Sequence, residues 1–124
     1  MKYTGFAILD SDHNIVPIDY DNPDERAKWI TQRTSMDSKR VAVDYVNDIK
    51  ISTVFLGSDY GDGPGQSIWF ETMPFDPEGG PWDQVDYHTS TWDEAKKGHQ
   101  MFVDAIKEGL TPDELNERIN DARI

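Results

Sequence analysis

The most constraining feature of this sequence is a pair of apolar, β-rich segments near its centre. Residues 49–57 read Ile-Lys-Ile-Ser-Thr-Val-Phe-Leu-Gly, and residues 67–75 read Ser-Ile-Trp-Phe-Glu-Thr-Met-Pro-Phe. Side chains of this kind are typical of strands, and segments this apolar favour a central position in a sheet. We therefore expect the two segments to pair as neighbouring antiparallel strands, covered by a helix over residues 92–108.

Turn-forming residues divide much of the remaining chain into further strands. Asp10-Ser-Asp-His-Asn14 carries short polar side chains that hydrogen-bond their own backbone in turns, and Asn47-Asp48 is placed to form a tight hairpin turn. The stretches beside these turns predict strands over residues 3–9, 15–19 and 40–46. A further strand is predicted over residues 85–90, after a loop rich in glycine and proline.

Capping residues predict a first helix after the N-terminal hairpin. Asn22 precedes a proline at the first helical position and acidic residues in the first turn, which is a helix start signal. We expect this helix to run to about Arg33 and to bury Ala27, Trp29 and Ile30.

Two capping boxes predict helices in the C-terminal part of the chain. Thr91-Trp-Asp-Glu94 begins a helix that ends at Gly109, and Thr111-Pro-Asp-Glu114 begins a short terminal helix. Apolar side chains recur at helical spacing along the first of these helices. That face consists of Trp92, Ala95, Phe102, Val103 and Ile106.

The order of these elements predicts an α+β fold with one mainly antiparallel sheet covered by two or three helices. The chain has 124 residues, which is a common size for one domain, and it shows no internal repeat. We therefore expect a single domain over residues 1–124. It would contain an N-terminal hairpin over 1–20, a core over 40–108 and a terminal helix over 111–124.

The charge of the chain is strongly acidic and unevenly distributed. The net charge is -12, and residues 51–95 contain nine acids with no Lys or Arg. Direct nucleic-acid binding is not expected, because that affinity comes from basic side chains. No apolar stretch approaches the roughly 18 residues of a membrane span, and residues 1–9 lack the apolar run of a signal peptide, so we predict no membrane association and a cytoplasmic location.

The acid-rich middle of the chain predicts a binding surface for a cationic protein. Acids there alternate with aromatic residues, and this combination offers both long-range attraction and anchoring contacts. Ordinary acidic solubility is the alternative explanation. The predicted binding residues are Asp59, Tyr60, Asp62, Asp76, Glu78, Trp82, Asp83 and Asp86.

Three residues are candidates for acid–base catalysis: Glu71, His88 and His99. Glu71 lies on an otherwise apolar strand, where a buried carboxylate needs partners. His99 falls on the apolar face of the long helix, which favours a hydrogen-bonded core histidine over a catalytic one. Together with Asp59 these residues are the set that a metal-dependent hydrolase could use, although their spacing does not show that they converge.

The glycine-rich loop over residues 57–65 offers a weak candidate site for a hard cation. Asp59 and Asp62 could share Ca²⁺ or Mg²⁺, and a solvated turn is the alternative. The loop lacks the Gly-Lys-Ser/Thr ending of a phosphate-binding loop. Asp10-Ser-Asp-His-Asn14 begins like a calcium loop, but Ile15 replaces the glycine that the loop requires, so we predict a hairpin turn. The sequence predicts no cofactor.

Three motifs resemble a known group of phage proteins. They are Ser52-Thr-Val-Phe-Leu-Gly57, Phe70-Glu-Thr-Met73, and Ser90-Thr-Trp-Asp-Glu-Ala95 followed by Gly98-His99. In this pattern the chain resembles, over roughly residues 40–99, a family of small bacteriophage and prophage proteins with no established activity. Family members often have Leu-Asp-His after the glycine, where this chain has Ser58-Asp59-Tyr60.

The resemblance implies a phage origin and hence a partner in the host cell. The resulting expectation is a phage accessory protein that binds a host protein with a basic surface, such as a defence or nucleic-acid-processing factor. A metal-dependent hydrolase and a structural virion component are the two alternatives.

Overall fold

A four-stranded antiparallel sheet is the largest element of the structure. The computed structural model of the chain describes residues 5–59, 61 and 67–122. The elements are β1 (Ala7–Leu9), β2 (Ile15–Pro17), α1 (Pro23–Thr34), α2 (Met36–Lys39), β3 (Arg40–Val46), β4 (Ile49–Phe55), β5 (Phe70–Phe75), a 3₁₀ turn (Pro81–Gln84), β6 (Tyr87–Thr89), α3 (Trp92–Lys107) and α4 (Pro112–Ala122). The predicted α+β class is confirmed.

The two apolar segments form the centre of the main sheet, as predicted. Its strand order is β3-β4-β5-β6, and β4 pairs with β5 in antiparallel register with Thr53 opposite Thr72. The strand predicted over residues 67–75 is shorter than expected, because regular pairing begins at Phe70.

The hairpin between β3 and β4 turns on two residues with left-handed backbone. Asn47 and Asp48 have φ values of 51° and 69°. Positive φ at both central positions defines the turn whose twist matches a β-hairpin, and Asn and Asp tolerate it better than most residues. The predicted hairpin turn is therefore confirmed, and it fixes Val46 opposite Ile49.

One face of the main sheet is the core. Alternate residues of β4 are buried, and α3 lies against all four strands. α4 adds Leu115 and Ile119 to the same core, in which Phe102 and Ile51 are fully buried. Helices α3 and α4 therefore cover the inner face, and for α3 its apolar spacing predicted this.

The second face of the main sheet remains accessible to solvent among the described residues. Directly opposed strand residues share a face, so the cross-strand register identifies its members. All of them are half-buried or exposed. We define the open face as Arg40, Val43, Tyr45, Lys50, Ser52, Val54, Glu71, Met73, Phe75 and His88.

The N-terminal hairpin forms a separate two-stranded sheet that packs under α1. Trp29 is the only residue of α1 that is buried, and its Nε1 donates to the carbonyl oxygen of Gly57 at 2.8 Å. The expected burial of Ala27 and Ile30 is wrong, since Ala27 is exposed and Ile30 is 45% exposed. Each residue advances about 100° around a helix, and a sheet of two three-residue strands is too narrow to cover a wide face of α1.

The helices begin at the residues that the capping signals indicate. Asn22 accepts hydrogen bonds from the backbone N–H groups of Asp24 and Glu25, and Thr91 accepts one from Glu94. None of the described helices is long and apolar enough to cross a membrane.

Gly98 allows α3 to approach β6 closely. A Cβ atom at this position would lie 2.7 Å from Cδ2 of Tyr87, well inside van der Waals contact. A glycine in the interior of a helix is otherwise unfavourable. The close approach therefore explains why glycine suits this helical position.

We predict that Gly98→Ala destabilises the protein, although alanine is the better helix former. The gain in helix propensity is about 1 kcal/mol, and overpacking typically costs about 1–3 kcal/mol. Urea denaturation should therefore show a net loss of unfolding free energy. In a Tyr87→Leu background, which lacks the ring, the same substitution should be neutral or stabilising. A stabilising effect in the wild-type background would contradict the close approach.

Candidate functional site

Glu71 and His88, two of the predicted catalytic candidates, meet on the open face. They are directly opposed residues of β5 and β6, and Nε2 of His88 lies 3.0 Å from Oε2 of Glu71. Oδ2 of Asp86 lies 3.6 Å from the same nitrogen. The three side chains are partly exposed, and we refer to them as the Glu71–Asp86–His88 cluster.

Strand geometry brings these three residues together. Side chains two residues apart along an extended backbone point to the same side. Asp86 directly precedes β6 and His88 lies within it, so their side chains lie beside each other. The antiparallel register then sets Glu71 directly across from His88. Asp86 was predicted only as an acidic binding residue, although its two-residue spacing from His88 indicates that both side chains share one side of the strand.

His88 is accessible from the sheet edge as well. β6 is the last strand of the main sheet, and a cleft of about 490 Å³ runs beside it. His88, Ser90 and Glu94 contribute to its wall. A small solute could therefore reach the imidazole from the edge of the sheet.

His99 belongs to a different network on the inner face. It is 3% exposed, its Nε2 lies 2.8 Å from Oδ2 of Asp44, and its Nδ1 lies 2.7 Å from Oγ1 of Thr53. The Thr53 hydroxyl lies 2.7 Å from that of Thr72. The predicted buried, hydrogen-bonded histidine is confirmed.

The hydrogen-bond network assigns a direction to each contact. The Asp44 carboxylate can only accept, so Nε2 of His99 donates to it. In the neutral ring Nδ1 then accepts from Thr53, whose oxygen accepts from Thr72.

The sequence of groups Asp44–His99–Thr53 is the order found in acid–base–nucleophile triads. Thr53 and Thr72 are both 0% exposed, however, so no substrate can reach either hydroxyl. The network therefore links β3, β4, β5 and α3 as a structural element. This network lies on the inner face, whereas Glu71 projects from the open face of the sheet, so His99 and Glu71 do not meet.

Asp59 stabilises the start of the glycine-rich loop. Its Oδ1 accepts hydrogen bonds of 2.8 Å from the backbone N–H groups of Gly61 and Ile68. This geometry fits the solvated-turn alternative better than a metal ligand with free lone pairs. Tyr60 and Asp62, the other loop candidates, lie outside the described residues.

The remaining predicted binding acids gather at the other end of β5. The N–H of Asp76 donates to Oδ1 of Asp83 at 3.3 Å, and the N–H of Glu78 donates to Oδ1 of Asp76 at 3.0 Å. We call Asp76, Glu78 and Asp83 the acidic loop. Asp59 is bonded to Ile68, two residues before β5, so the length of this strand, about 17 Å, separates it from the acidic loop.

The aromatic residues of the acid-rich stretch differ in their availability. Trp82 is half-buried and packs against the main core, so it supports the acidic loop. Phe75 is 44% exposed and directly precedes the acidic loop. Tyr45, which sequence analysis did not select, is 71% exposed on the open face.

The calcium-like segment at the N-terminal hairpin is a turn, as predicted. Oδ1 of Asp10 accepts hydrogen bonds from the N–H groups of Asp12 and Asn14, both at 2.9 Å. The Asn14 N–H in particular holds the pKa of Asp10 below its usual value. The carboxylate is thus used to close the turn.

Comparison with known proteins gives no relative to guide the assignment. No family model, curated protein or solved structure matches this chain. The candidate site therefore has to be interpreted from its own geometry.

We predict that Thr53→Val lowers the free energy of unfolding by about 1–3 kcal/mol, because it leaves His99 Nδ1 and the Thr72 hydroxyl unpaired in the core. Valine preserves the shape of threonine, so packing changes little. Ser52→Ala, on the open face of the same strand, is the control and should change stability by less than about 0.5 kcal/mol. Equal effects in urea denaturation would argue against the network.

Proposed function

We propose that this protein is a phage accessory protein that binds a host protein through the basic surface of that partner. The observation that carries this proposal is the position of the acidic loop beside exposed aromatic residues. Charged residues in this arrangement can attract a partner, and the aromatic residues can anchor it.

The anchoring residues form a row across three strands. Tyr45 lies opposite Lys50, and Lys50 lies opposite Phe75, so the three side chains share one end of the open face. Asp76 follows Phe75 directly and connects this row to the acidic loop. Exposed aromatic side chains are enriched among residues that dominate binding energy.

The charge distribution favours a cationic partner. Residues 51–95 contribute nine of the twelve excess negative charges. Three of those acids belong to the acidic loop, whose turn is held by hydrogen bonds among its own residues. A clustered charge of one sign raises association rates with an oppositely charged surface.

The motif resemblance to phage proteins supports a host protein in the host cytoplasm as the partner. The resemblance covers only the shared motifs in strands β4 and β5 and at the start of α3. The surface described above adds the chemistry of recognition, which the motifs do not contain.

We predict that Asp76→Lys combined with Asp83→Lys slows association with a partner captured from host lysate by pull-down. The double substitution reverses the field of the acidic loop, so the association rate should fall at least about tenfold at low salt. Surface plasmon resonance at increasing salt would measure it. Asp12→Lys with Asp37→Lys is the control of equal charge, and it alters exposed residues of the N-terminal part.

Two outcomes would reject the charge-based surface. One is an association rate that does not change with salt. The other is an equal loss of association rate in both double variants, since that would show a dependence on net charge alone.

We predict that Tyr45→Ala and Phe75→Ala act mainly on dissociation. Truncating an aromatic anchor at an interface typically costs about 2 kcal/mol or more, which corresponds to a dissociation rate about 30-fold higher. Ile30→Ala, a similarly exposed apolar residue on α1, should leave the rate unchanged. Unchanged dissociation in both aromatic variants would place the interface elsewhere on the molecule.

A further inference from the structure

The Glu71–Asp86–His88 cluster has the composition and spacing of a metal site. We propose that it binds one divalent transition-metal ion of the Zn²⁺ class through His88 Nε2, Glu71 Oε2 and Asp86 Oδ2. The proposal concerns the cluster itself and does not depend on the protein partner proposed above.

The donor atoms already lie near the separations that such an ion requires. Zn²⁺ binds nitrogen and oxygen at about 2.0–2.2 Å in tetrahedral geometry, which places neighbouring donors about 3.3–3.5 Å apart. His88 Nε2 lies 3.0 Å from the Glu71 oxygen and 3.6 Å from the Asp86 oxygen. All three atoms lie within 4.8 Å of one another. Small rotations of the side chains would complete the geometry.

Two of the three donors lie on paired strands, and the third directly precedes one of them. Glu71 and His88 are opposed residues of β5 and β6, and Asp86 lies two residues before His88. Donors on paired strands are held more precisely than donors on loops. The cluster differs in this respect from Asp59, whose carboxylate is engaged by loop N–H groups.

The donor types select the ion. Imidazole nitrogen is a good ligand for Zn²⁺ and its neighbours in the transition series, whereas Mg²⁺ and Ca²⁺ prefer oxygen ligands alone. Three protein donors also leave one tetrahedral position for water or for a donor from another molecule. Because all three residues are partly exposed, that position would be reached from solvent.

The same three groups could instead form hydrogen bonds without a metal. Two carboxylates close to one imidazole repel each other, and a divalent ion relieves that repulsion. A metal ion must displace any hydrogen on Nε2. The competing explanation is a hydrogen-bonded histidine–carboxylate pair only, which the test below separates from a metal site.

The experiment is isothermal titration of the full chain with Zn²⁺ in a buffer that does not chelate metals. We expect saturation at one ion per chain. At a hundredfold excess over Kd, the melting temperature should rise by on the order of 10 °C. His88→Gln, Glu71→Gln and Asp86→Asn should each weaken binding at least about 100-fold, because even the partners of metal ligands are often worth 10–100-fold.

Matched controls separate the cluster from general acidity and from other histidines. His13→Gln removes an exposed histidine that stacks on Trp92, and Asp83→Asn removes an acid of the acidic loop. Both variants should bind Zn²⁺ like the wild type. Circular dichroism of each metal-free variant checks that it is folded.

Nitrogen-15 NMR of the wild type gives a readout that needs no substitution. Zn²⁺ should shift the His88 Nε2 resonance and leave those of buried His99 unchanged. Co²⁺ in place of Zn²⁺ should give the visible absorption of a tetrahedral site.

Several results would overturn the proposal. They are the absence of saturable binding, unchanged affinity in His88→Gln, and equally effective competition by Mg²⁺. Each of them would contradict a transition-metal site at this cluster. No protein partner is present in the Zn²⁺ titration, so a negative titration would not contradict the proposed binding function. A negative result in the partner assay would likewise not contradict the metal site.

Discussion

Strands β4 and β5 pair so that Thr53 lies directly opposite Thr72, and the division of the molecule into two faces follows from that register. Side chains alternate along a strand, so a slip of one residue would exchange the inner and outer sets. The hydroxyl–hydroxyl contact of 2.7 Å, extended to His99 and Asp44, favours this single register over its neighbours. Apolar burial alone would specify it less strictly, because both segments also carry apolar residues on their outer faces.

The same alternation gives the two sheet-associated histidines different roles. His99 lies on α3 against the inner face and is buried. It bonds directly to Asp44 and Thr53, and Thr53 bonds in turn to Thr72, so the role of His99 is structural. His88 lies on the outer face at the sheet edge, where it meets two carboxylates and solvent. A catalytic centre that used both histidines would need groups from both sides of the sheet. The described geometry offers no such convergence.

Local signals in the sequence predicted much of the fold. Capping residues identified the starts of α1, α3 and α4, and Asn47-Asp48 identified the hairpin turn. The burial of Ala27 and Ile30 could not be judged locally, because it depends on the width of the sheet beneath α1. The short α2 buries no residue, so no apolar periodicity indicated it, although Ser35 caps its start.

The candidate site was less predictable because its contacts join distant residues. Asp44 and His99 are 55 positions apart, and Glu71 and His88 are 17 apart. The Glu71–His88 contact depends on strand register, which a single sequence specifies only through its side-chain alternation. The Asp44–His99 contact depends on how α3 packs against β3. Residue type alone identified Glu71, His88 and His99 as candidates. It did not show that Glu71 and His88 lie on the open face and His99 against the inner face.

The two proposed activities of the outer surface are linked by electrostatics. A divalent ion in the Glu71–Asp86–His88 cluster would neutralise two carboxylates on the surface that is proposed to attract a basic partner. Asp86 is three residues from Asp83 of the acidic loop, so the two groups of charge are neighbours in the chain. Metal occupancy would then weaken the local attraction, and by reciprocity a bound cationic partner would weaken the affinity for metal. A partner that supplied a ligand to the open coordination position would reverse that sign, because it would gain a bond that exists only in the metal-bound form. The sign of the coupling therefore reports whether the partner binds beside the ion or directly to it.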